Sequence, residues 1–158
     1  NLKQRTVGDR VIIAEFRVDD EFTFQPGEYL QVALGEEKPL KHYFSIASSP
    51  LEKGIVRIAT RPSESQFKKT LLEMPLGTEV QVNGPWGDVL LPNDTSKPLV
   101  FLAGGIGITQ FLSMIGYATE ANLPYKIKLL HFGDLDEFHH ELERSARVNP
   151  NFTFKHFY

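Results

Sequence analysis

Short runs of alternating apolar and polar residues dominate the first part of the chain. Such runs, separated by Gly, Pro, Ser and Asp, are typical of half-buried β-strands. They predict strands over residues 11–16, 29–34, 41–47, 55–60 and 79–82. Several short strands at close spacing predict a small antiparallel β-barrel or sandwich.

One segment of this part has a helical period instead. Its apolar residues recur three and four positions apart, at Phe67, Leu71 and Met74. Ser63 and Ser65 are candidate N-caps for the helix that this spacing predicts. Because the first turn of a helix has backbone amides without intrahelical partners, the start of this helix is a candidate anion site.

Strand and helix patterns alternate in the rest of the chain. They predict strands over residues 99–103, 126–132 and 152–157, with helices over 109–121 and 136–147. This order predicts a parallel sheet with right-handed crossovers, whose ligands bind at the carboxyl ends of its strands. The polar stretch 92–98 precedes the change of pattern, so we expect one domain over residues 1–97 and a second over 98–158.

A glycine-rich turn follows the first strand of this second part. Gly104, Gly105 and Gly107 come directly after the apolar residues, and Thr109 is placed to cap the next helix. Glycine lets backbone amides approach a ligand closely, and a helix N-terminus favours negative charge. The turn is therefore a candidate phosphate cradle, and a tight turn with a purely structural role is the alternative.

Composition narrows the classes of function. The chain has 158 residues, a net charge of −3 and no cysteine. The absence of a long basic stretch argues against a nucleic-acid partner, and no apolar run is long enough to span a membrane. These residues hold no disulfide, no thiolate nucleophile and no cysteine-ligated cluster. The composition is compatible with the cytoplasm, which is the location that we expect.

Four motifs in order resemble those of the ferredoxin–NADP reductase superfamily. They are Pro-Gly-Glu-Tyr at 26–29, His-Tyr-Phe-Ser-Ile-Ala-Ser at 42–48, the segment 77–87 with its Gly-Pro-Trp-Gly turn, and Gly-Gly-Ile-Gly-Ile-Thr-Gln at 104–110. The resemblance covers nearly the whole chain. It implies an antiparallel Greek-key β-barrel that binds FAD, followed by a partial parallel α/β domain that binds a nicotinamide nucleotide.

The resemblance also implies a role for individual residues. Phe44 would lie against the isoalloxazine ring, and Ser45 would act beside the flavin N5, which accepts hydride from the reduced nicotinamide. The other implied FAD contacts are His42, Tyr43, Ala59, Thr60, Arg61, Ser65, Gln66 and Phe67. The implied contacts of the nicotinamide nucleotide are Gly104, Gly105, Gly107 and Thr109.

The chain departs from the family pattern at several positions. His42 replaces the arginine that grips the FAD pyrophosphate, so the charge at this position is not permanent. Gln110 replaces a proline, which removes rigidity but no hydrogen-bond donor. Asp134 and Asp136 stand where the family often has an arginine near the nucleotide ribose, which favours NADH over NADPH.

The family also has a C-terminal segment that completes the nicotinamide site and that these residues do not contain. The aromatic residues of the strand over 152–157 would make it an aggregation-prone edge if it were exposed. We therefore expect further residues or a partner chain to cover this strand.

Two functions fit these observations. The first is an enzyme that passes electrons from NAD(P)H through FAD to an acceptor, which is a small molecule or a protein that the sequence does not identify. The second is a non-catalytic, reductase-like subunit that binds flavin or docks onto another protein. A group of charged residues over 139–143, with two histidines and two glutamates, is interpreted as a solvated helix face rather than a metal site.

Overall fold

The computed structural model describes residues 1–134 and 136–158. Their strands are β1 (Leu2–Val7), β2 (Ile12–Arg17), β3 (Tyr29–Leu34), β4 (Leu40–Ser45), β5 (Ile55–Thr60), β6 (Gln81–Trp86), β7 (Leu99–Gly104), β8 (Ile127–Phe132) and β9 (Phe152–Phe157). Their α-helices are α1 (Gln66–Glu73), α2 (Thr109–Glu120) and α3 (His139–Val148). A short 3₁₀ turn, Gly105–Ile108, connects β7 to α2.

Six strands form the first part of the molecule. They make two antiparallel three-stranded sheets, with strand orders β1-β2-β5 and β4-β3-β6. Antiparallel β-structure is therefore confirmed, but the strand pairing of the described residues leaves two separate sheets and does not establish a closed barrel. The sequence pattern missed β1, because Leu2 is its only buried residue and its apolar alternation is absent.

The two antiparallel sheets enclose one apolar core. Phe16, Leu30 and Ile58 are fully buried in it, and α1 contributes Phe67 and Leu71. The helical spacing of the sequence thus correctly predicted which side of α1 faces the core.

The last three strands form a parallel sheet in the order β7-β8-β9, as the alternating pattern predicted. Leu112 and Ile115 of α2 and Leu142 of α3 belong to its apolar core. Val11 and Ala59 of the antiparallel part lie in the same core. The two parts of the chain therefore share buried apolar surface.

One face of the parallel sheet lacks a cover in the described residues. Val100, Leu102 and Phe132 point to this face and have exposures of 59%, 65% and 46%. In contrast, Phe152 of β9 is 2% exposed and belongs to the apolar core. The most exposed apolar side chains of this face thus lie on β7 and β8.

An ion pair joins the two parts behind this core. Arg57 of β5 lies 2.6 Å from the carboxylate of Glu141 on α3, and the same guanidinium donates to the carbonyl of Ala47. Burial lowers the pKa of Arg57, but the nearby carboxylates, above all Glu141, outweigh it and leave the pKa raised.

Among residues 1–134 and 136–158, no helix is long and apolar enough to cross a membrane.

Candidate functional site

The end of β4 carries the residues that the resemblance assigns to the flavin. Phe44 is 7% exposed and packs against Phe67 of α1, with ring centroids 5.4 Å apart. His42 is exposed, and its ring lies 4.9 Å from the ring of Phe44 and 5.5 Å from that of Phe67. Ser45 ends the strand and is half-buried. His42 therefore lies beside the first turn of α1.

Tyr29 and Trp86, to which the sequence analysis gave no role, form an aromatic cluster with Tyr43 on the outer face of the same sheet. Tyr29 pairs in register with Ser45 on one side and with Trp86 on the other. The rings of Tyr29, Tyr43 and Trp86 lie 6.0–6.2 Å apart. All three side chains are exposed. The alternation of strands β3 and β4 was a signal for this cluster, because it puts Tyr29, Tyr43 and Ser45 on one face.

The start of α1 lies open to solvent. Ser65 is its N-cap, as predicted, and its hydroxyl accepts a hydrogen bond from the amide of Lys68 at 3.4 Å. Ser65 and Gln66 are exposed, whereas Ala59 and Thr60 at the end of β5 are buried. The helix therefore presents its N-terminal turn, and β5 contributes backbone rather than side chains.

The glycine turn lies at the carboxyl end of β7, where the sequence placed it. Gly105 has a φ of +49°, while Gly104 and Gly107 have open space where a Cβ would be. Thr109 does not cap α2, so that prediction was wrong. The 3₁₀ turn continues directly into α2, which leaves Thr109 with helical φ and ψ, and its hydroxyl donates to the carbonyl of Ile106 at 3.1 Å.

Arg61 connects the two candidate sites. Its side chain extends from the segment after β5 to the glycine turn, where a Cβ on Gly105 would lie 2.8 Å from the guanidinium. The same guanidinium donates to Asp134 at 3.0 Å, and Arg10 lies 3.4 Å from the Asp134 carboxylate. The hydrogen bond from Arg61 is the main cause that lowers the pKa of Asp134. Local sequence patterns could not predict this contact, because Arg10, Arg61 and Asp134 are far apart along the chain.

Two histidines that the sequence analysis did not assign lie beneath the turn. His131 of β8 is 1% exposed, and its Nε2 is 3.0 Å from the carbonyl oxygen of Gly105. His156 of β9 stacks on it, with ring centroids 4.7 Å apart. Burial is the main cause that lowers the pKa of His131.

The charged group at the start of α3 has local partners. His139 and His140 lie 3.4 and 3.7 Å from the carboxylate of Glu143. In the part of the chain that the structure describes, no three His, Cys, Asp or Glu side chains are grouped to hold a metal ion.

Comparison with known proteins finds relatives named as a reductase and as a component of a hydroxylase. No family model matches the chain. It is 29% identical over 143 residues to the phenol hydroxylase P5 protein of Acinetobacter pittii, covering 87% of this chain and 40% of that protein. It is 28% identical over 144 residues to an NAD(P)H-flavin reductase of Aliivibrio fischeri, covering 83% and 59% respectively. The chain thus spans about two fifths of the length of the first relative and about three fifths of the second.

A solved structure has the same fold. The ferredoxin–NADP⁺ reductase of Plasmodium falciparum superposes with a TM-score of 0.85 at 16% identity, covering 99% of this chain and 71% of that one. Both chains share an architecture of antiparallel β-structure followed by a parallel α/β sheet. The chain therefore has the fold of a ferredoxin–NADP⁺ reductase, and its sequence is similar to reductases and reductase components.

Proposed function

We propose that this chain is the FAD- and nucleotide-binding part of an oxidoreductase that passes electrons from NAD(P)H through FAD to an acceptor. The observation that carries the proposal is the contact of Arg61 with Gly105. It brings the segment between β5 and α1, the candidate flavin side, against the candidate nucleotide turn. Two cofactors held at these places would meet in the cleft between the two parts. The proposal divides the chain into an FAD-binding domain over residues 1–97 and a nucleotide-binding domain over 98–158.

The residues on the flavin side fit an anionic dinucleotide. Exposed Ser65 and Gln66 present the first turn of α1, and His42 lies beside that turn. Ser45 places a hydroxyl at the end of β4, next to the aromatic faces of Tyr43 and Tyr29. Bound FAD supplies hydride acceptance and electron delivery, while the protein supplies position and electrostatics.

Each flavin-side residue has a distinct part in this proposal. Ser45 acts as a hydrogen-bonding partner at the reactive edge of the ring, and Phe44 lies against the isoalloxazine ring. Phe67, like Ser65 and Gln66, presents its backbone amide to the FAD pyrophosphate. Backbone groups of Ala59, Thr60 and Arg61 line the ring and phosphate side. Gly104, Gly105, Gly107 and Thr109 form the nucleotide turn.

NADH is the nucleotide that we expect. Asp134 is paired with Arg10 and Arg61, so its charge is largely compensated. Asp136 has Tyr158 as a hydrogen-bond donor and His156 at 3.8 Å. Neither of these partners of Asp136 carries a permanent positive charge, so its carboxylate opposes a 2′-phosphate.

The direct test is a titration of the purified protein with FAD, followed by anaerobic addition of NADH. We expect quenching of FAD fluorescence and then bleaching of the flavin absorbance. The Ser45→Ala variant should retain FAD but slow the bleaching, since it keeps the fold and removes only the hydroxyl. An exposed serine far from the cleft, Ser96, provides the matched control Ser96→Ala.

The same experiment distinguishes the alternative function. A non-catalytic subunit that binds flavin would retain FAD without bleaching in NADH. The compensated charge of Asp134 does not favour either function, but His42 in place of a permanent cation favours weaker flavin binding. A protein that neither binds FAD nor responds to NADH would contradict the proposed enzyme.

The open face of the parallel sheet belongs to the proposal as well. Val100, Leu102 and Phe132 form an exposed apolar surface of a kind that marks contact sites. A further segment or a partner chain covers it in the functional protein. Light scattering together with intact mass tests this proposal: a monodisperse monomer of 158 residues with this face freely exposed would contradict it.

A further inference from the structure

The imidazoles of His131 and His156 form a stacked pair at the carboxyl end of the parallel sheet. The two residues are direct partners in the register of β8 and β9. Their ring centroids lie 4.7 Å apart with an interplanar angle of 25°. His131 is 1% exposed, so the pair lies inside the sheet end rather than on its surface.

Each imidazole holds the carbonyl of one glycine. His131 Nε2 lies 3.0 Å from the oxygen of Gly105, and His156 Nε2 lies 2.6 Å from the oxygen of Gly133. A carbonyl oxygen only accepts hydrogen bonds, so Nε2 carries the proton on both rings. The two histidines therefore donate to the two loops that follow β7 and β8.

These two loops touch each other. A Cβ on Gly133 would lie 3.3 Å from both the Cα and the amide nitrogen of Gly105. Both glycines have positive φ, +49° at Gly105 and +133° at Gly133. Such backbone has weak intrinsic preferences, so its conformation depends on the hydrogen bonds that hold it. For Gly105, one of these hydrogen bonds comes from the buried imidazole of His131.

The surroundings of His131 favour its neutral form. Burial lowers the pKa of His131, and the neighbouring His156 and Arg61 lower it further, while Gly105 and Asp136 act in the opposite direction. Asp136 lies 3.8 Å from His156 Nδ1. Tyr158 stacks on His156 at 4.4 Å and donates its hydroxyl to Asp136. A second positive charge in this stack would be poorly compensated.

We propose that His131 and His156 are positioning residues that hold the glycine turn in the conformation that accepts the nucleotide. Charging both rings keeps each Nε2–H donor but places two positive charges 4.7 Å apart, and their repulsion loosens the stacked pair and with it this hold. The inference rests on the proposed function, because the proposed function names the nucleotide as the ligand of the turn. Neither histidine touches the nucleotide in this proposal. They act through the carbonyls of Gly105 and Gly133.

The first test needs no nucleotide. Amide hydrogen exchange of residues 104–109 is measured on the ligand-free full chain and on the variants His131→Leu and His131→Gln. Leucine removes the donor, so exchange in the turn should accelerate about tenfold, in line with the loss of one buried hydrogen bond. Glutamine can donate an amide proton to the same carbonyl, so its exchange should stay within about twofold of wild type.

The second test measures NADH affinity by fluorescence between about pH 5.5 and pH 8, the range around the ordinary histidine pKa. Wild-type affinity should fall as the pH is lowered, and His131→Gln should be nearly independent of pH. The control is His140→Gln, which changes a side chain of 95% exposure on α3 and should behave as wild type. His156→Gln repeats the test on the second ring if His131→Leu does not fold.

The outcomes separate the two proposals. Unchanged turn exchange in His131→Leu overturns the support role, whether or not NADH binds. Affinity that rises on acidification in wild type, or the same pH profile in His131→Gln, also overturns it. If NADH does not bind wild type at all while exchange responds as expected, the proposed function fails and the support of the turn stands.

Discussion

The guanidinium of Arg61 donates to the carboxylate of Asp134 at 3.0 Å, across the cleft between the antiparallel sheets and the parallel sheet. Both side chains are partly exposed, at 42% and 53%. Exposed ion pairs add little to stability and are screened by salt. The importance of the pair therefore lies in its place at the glycine turn, where, in the proposed function, it sets the charge that a nucleotide would meet.

This relationship predicts a change of nucleotide preference. Asp134→Asn removes the carboxylate and leaves Arg10 and Arg61 as two uncompensated cations. The affinity ratio of NADPH over NADH should rise about three- to tenfold, and the rise should shrink at high salt. Competitive titrations at two salt concentrations measure it. Asp94→Asn, in an exposed loop, should leave the ratio unchanged, and an unchanged ratio in Asp134→Asn would separate this carboxylate from the nucleotide.

A second prediction concerns Gly105. Gly105→Val puts a branched side chain at a φ of +49° and within 2.8 Å of Arg61. NADH affinity should fall at least about tenfold while FAD stays bound, because the strain is confined to the nucleotide turn. NADH titration beside the flavin spectrum checks this. Gly116→Ala, whose Cβ would lie 3.5 Å from Ser49, is the control for a glycine outside the turn.

The exposed ring of His42 leads to a third prediction. If it faces the FAD pyrophosphate, its protonation strengthens binding, so FAD affinity should rise as the pH falls from about 8 to about 6. His42→Arg makes the charge permanent and should flatten this dependence and tighten binding at high pH. FAD titrations of both proteins across this range decide the matter. A flat wild-type curve would place His42 away from the pyrophosphate.

The Arg57–Glu141 pair predicts a difference in stability between two ion pairs. Its atoms lie 2.6 Å apart and the side chains are 17% and 24% exposed, so Glu141→Gln should lower the free energy of unfolding by about 1–3 kcal/mol. Lys69 and Glu64 are equally close, but Glu64 is 95% exposed. Glu64→Gln should therefore have no measurable effect. Urea unfolding of both variants makes the comparison, and equal effects would refute it.

The buried His131 predicts how stability depends on pH. Its pKa is lowered in the folded protein, mainly by burial, so the unfolded chain binds a proton that the folded chain does not. Stability is therefore complete above the ordinary histidine pKa of about 6.5 and decreases as the pH falls below it. Urea unfolding at about pH 7.5, 6.5 and 5.5 should show this loss, and His131→Gln should reduce it. His140→Gln should keep the wild-type slope.

Local patterns were sufficient for most of the secondary structure. The four-residue and three-residue spacing of Phe67, Leu71 and Met74 predicted α1, and the alternation of β3 predicted its buried side. These signals depend on neighbours within a few positions, so the sequence carries them directly. Where the buried residues are few, as in β1, the same signal was absent.

Motif order determined the site in outline. The glycine turn after β7 and the N-cap of α1 by Ser65 both follow from residue type and spacing. Thr109 shows the limit of such reasoning, because the same residues around Thr109 are compatible with an N-cap and with a helical turn that continues from the preceding segment. The 3₁₀ turn that precedes α2 decided between them.

Only the tertiary structure brought together residues that are distant along the chain. Arg61 meets Asp134 and Gly105, and His131 meets both Gly105 and His156, because the ends of β5, β7, β8 and β9 lie together at the glycine turn. The register of the parallel strands and the shared apolar core fix these contacts. The spacing of neighbouring residues predicts neither the register nor the shared core. The sequence alone therefore determined the helices, the strands and their motifs, whereas packing decided which charges and hydrogen-bond donors face the turn.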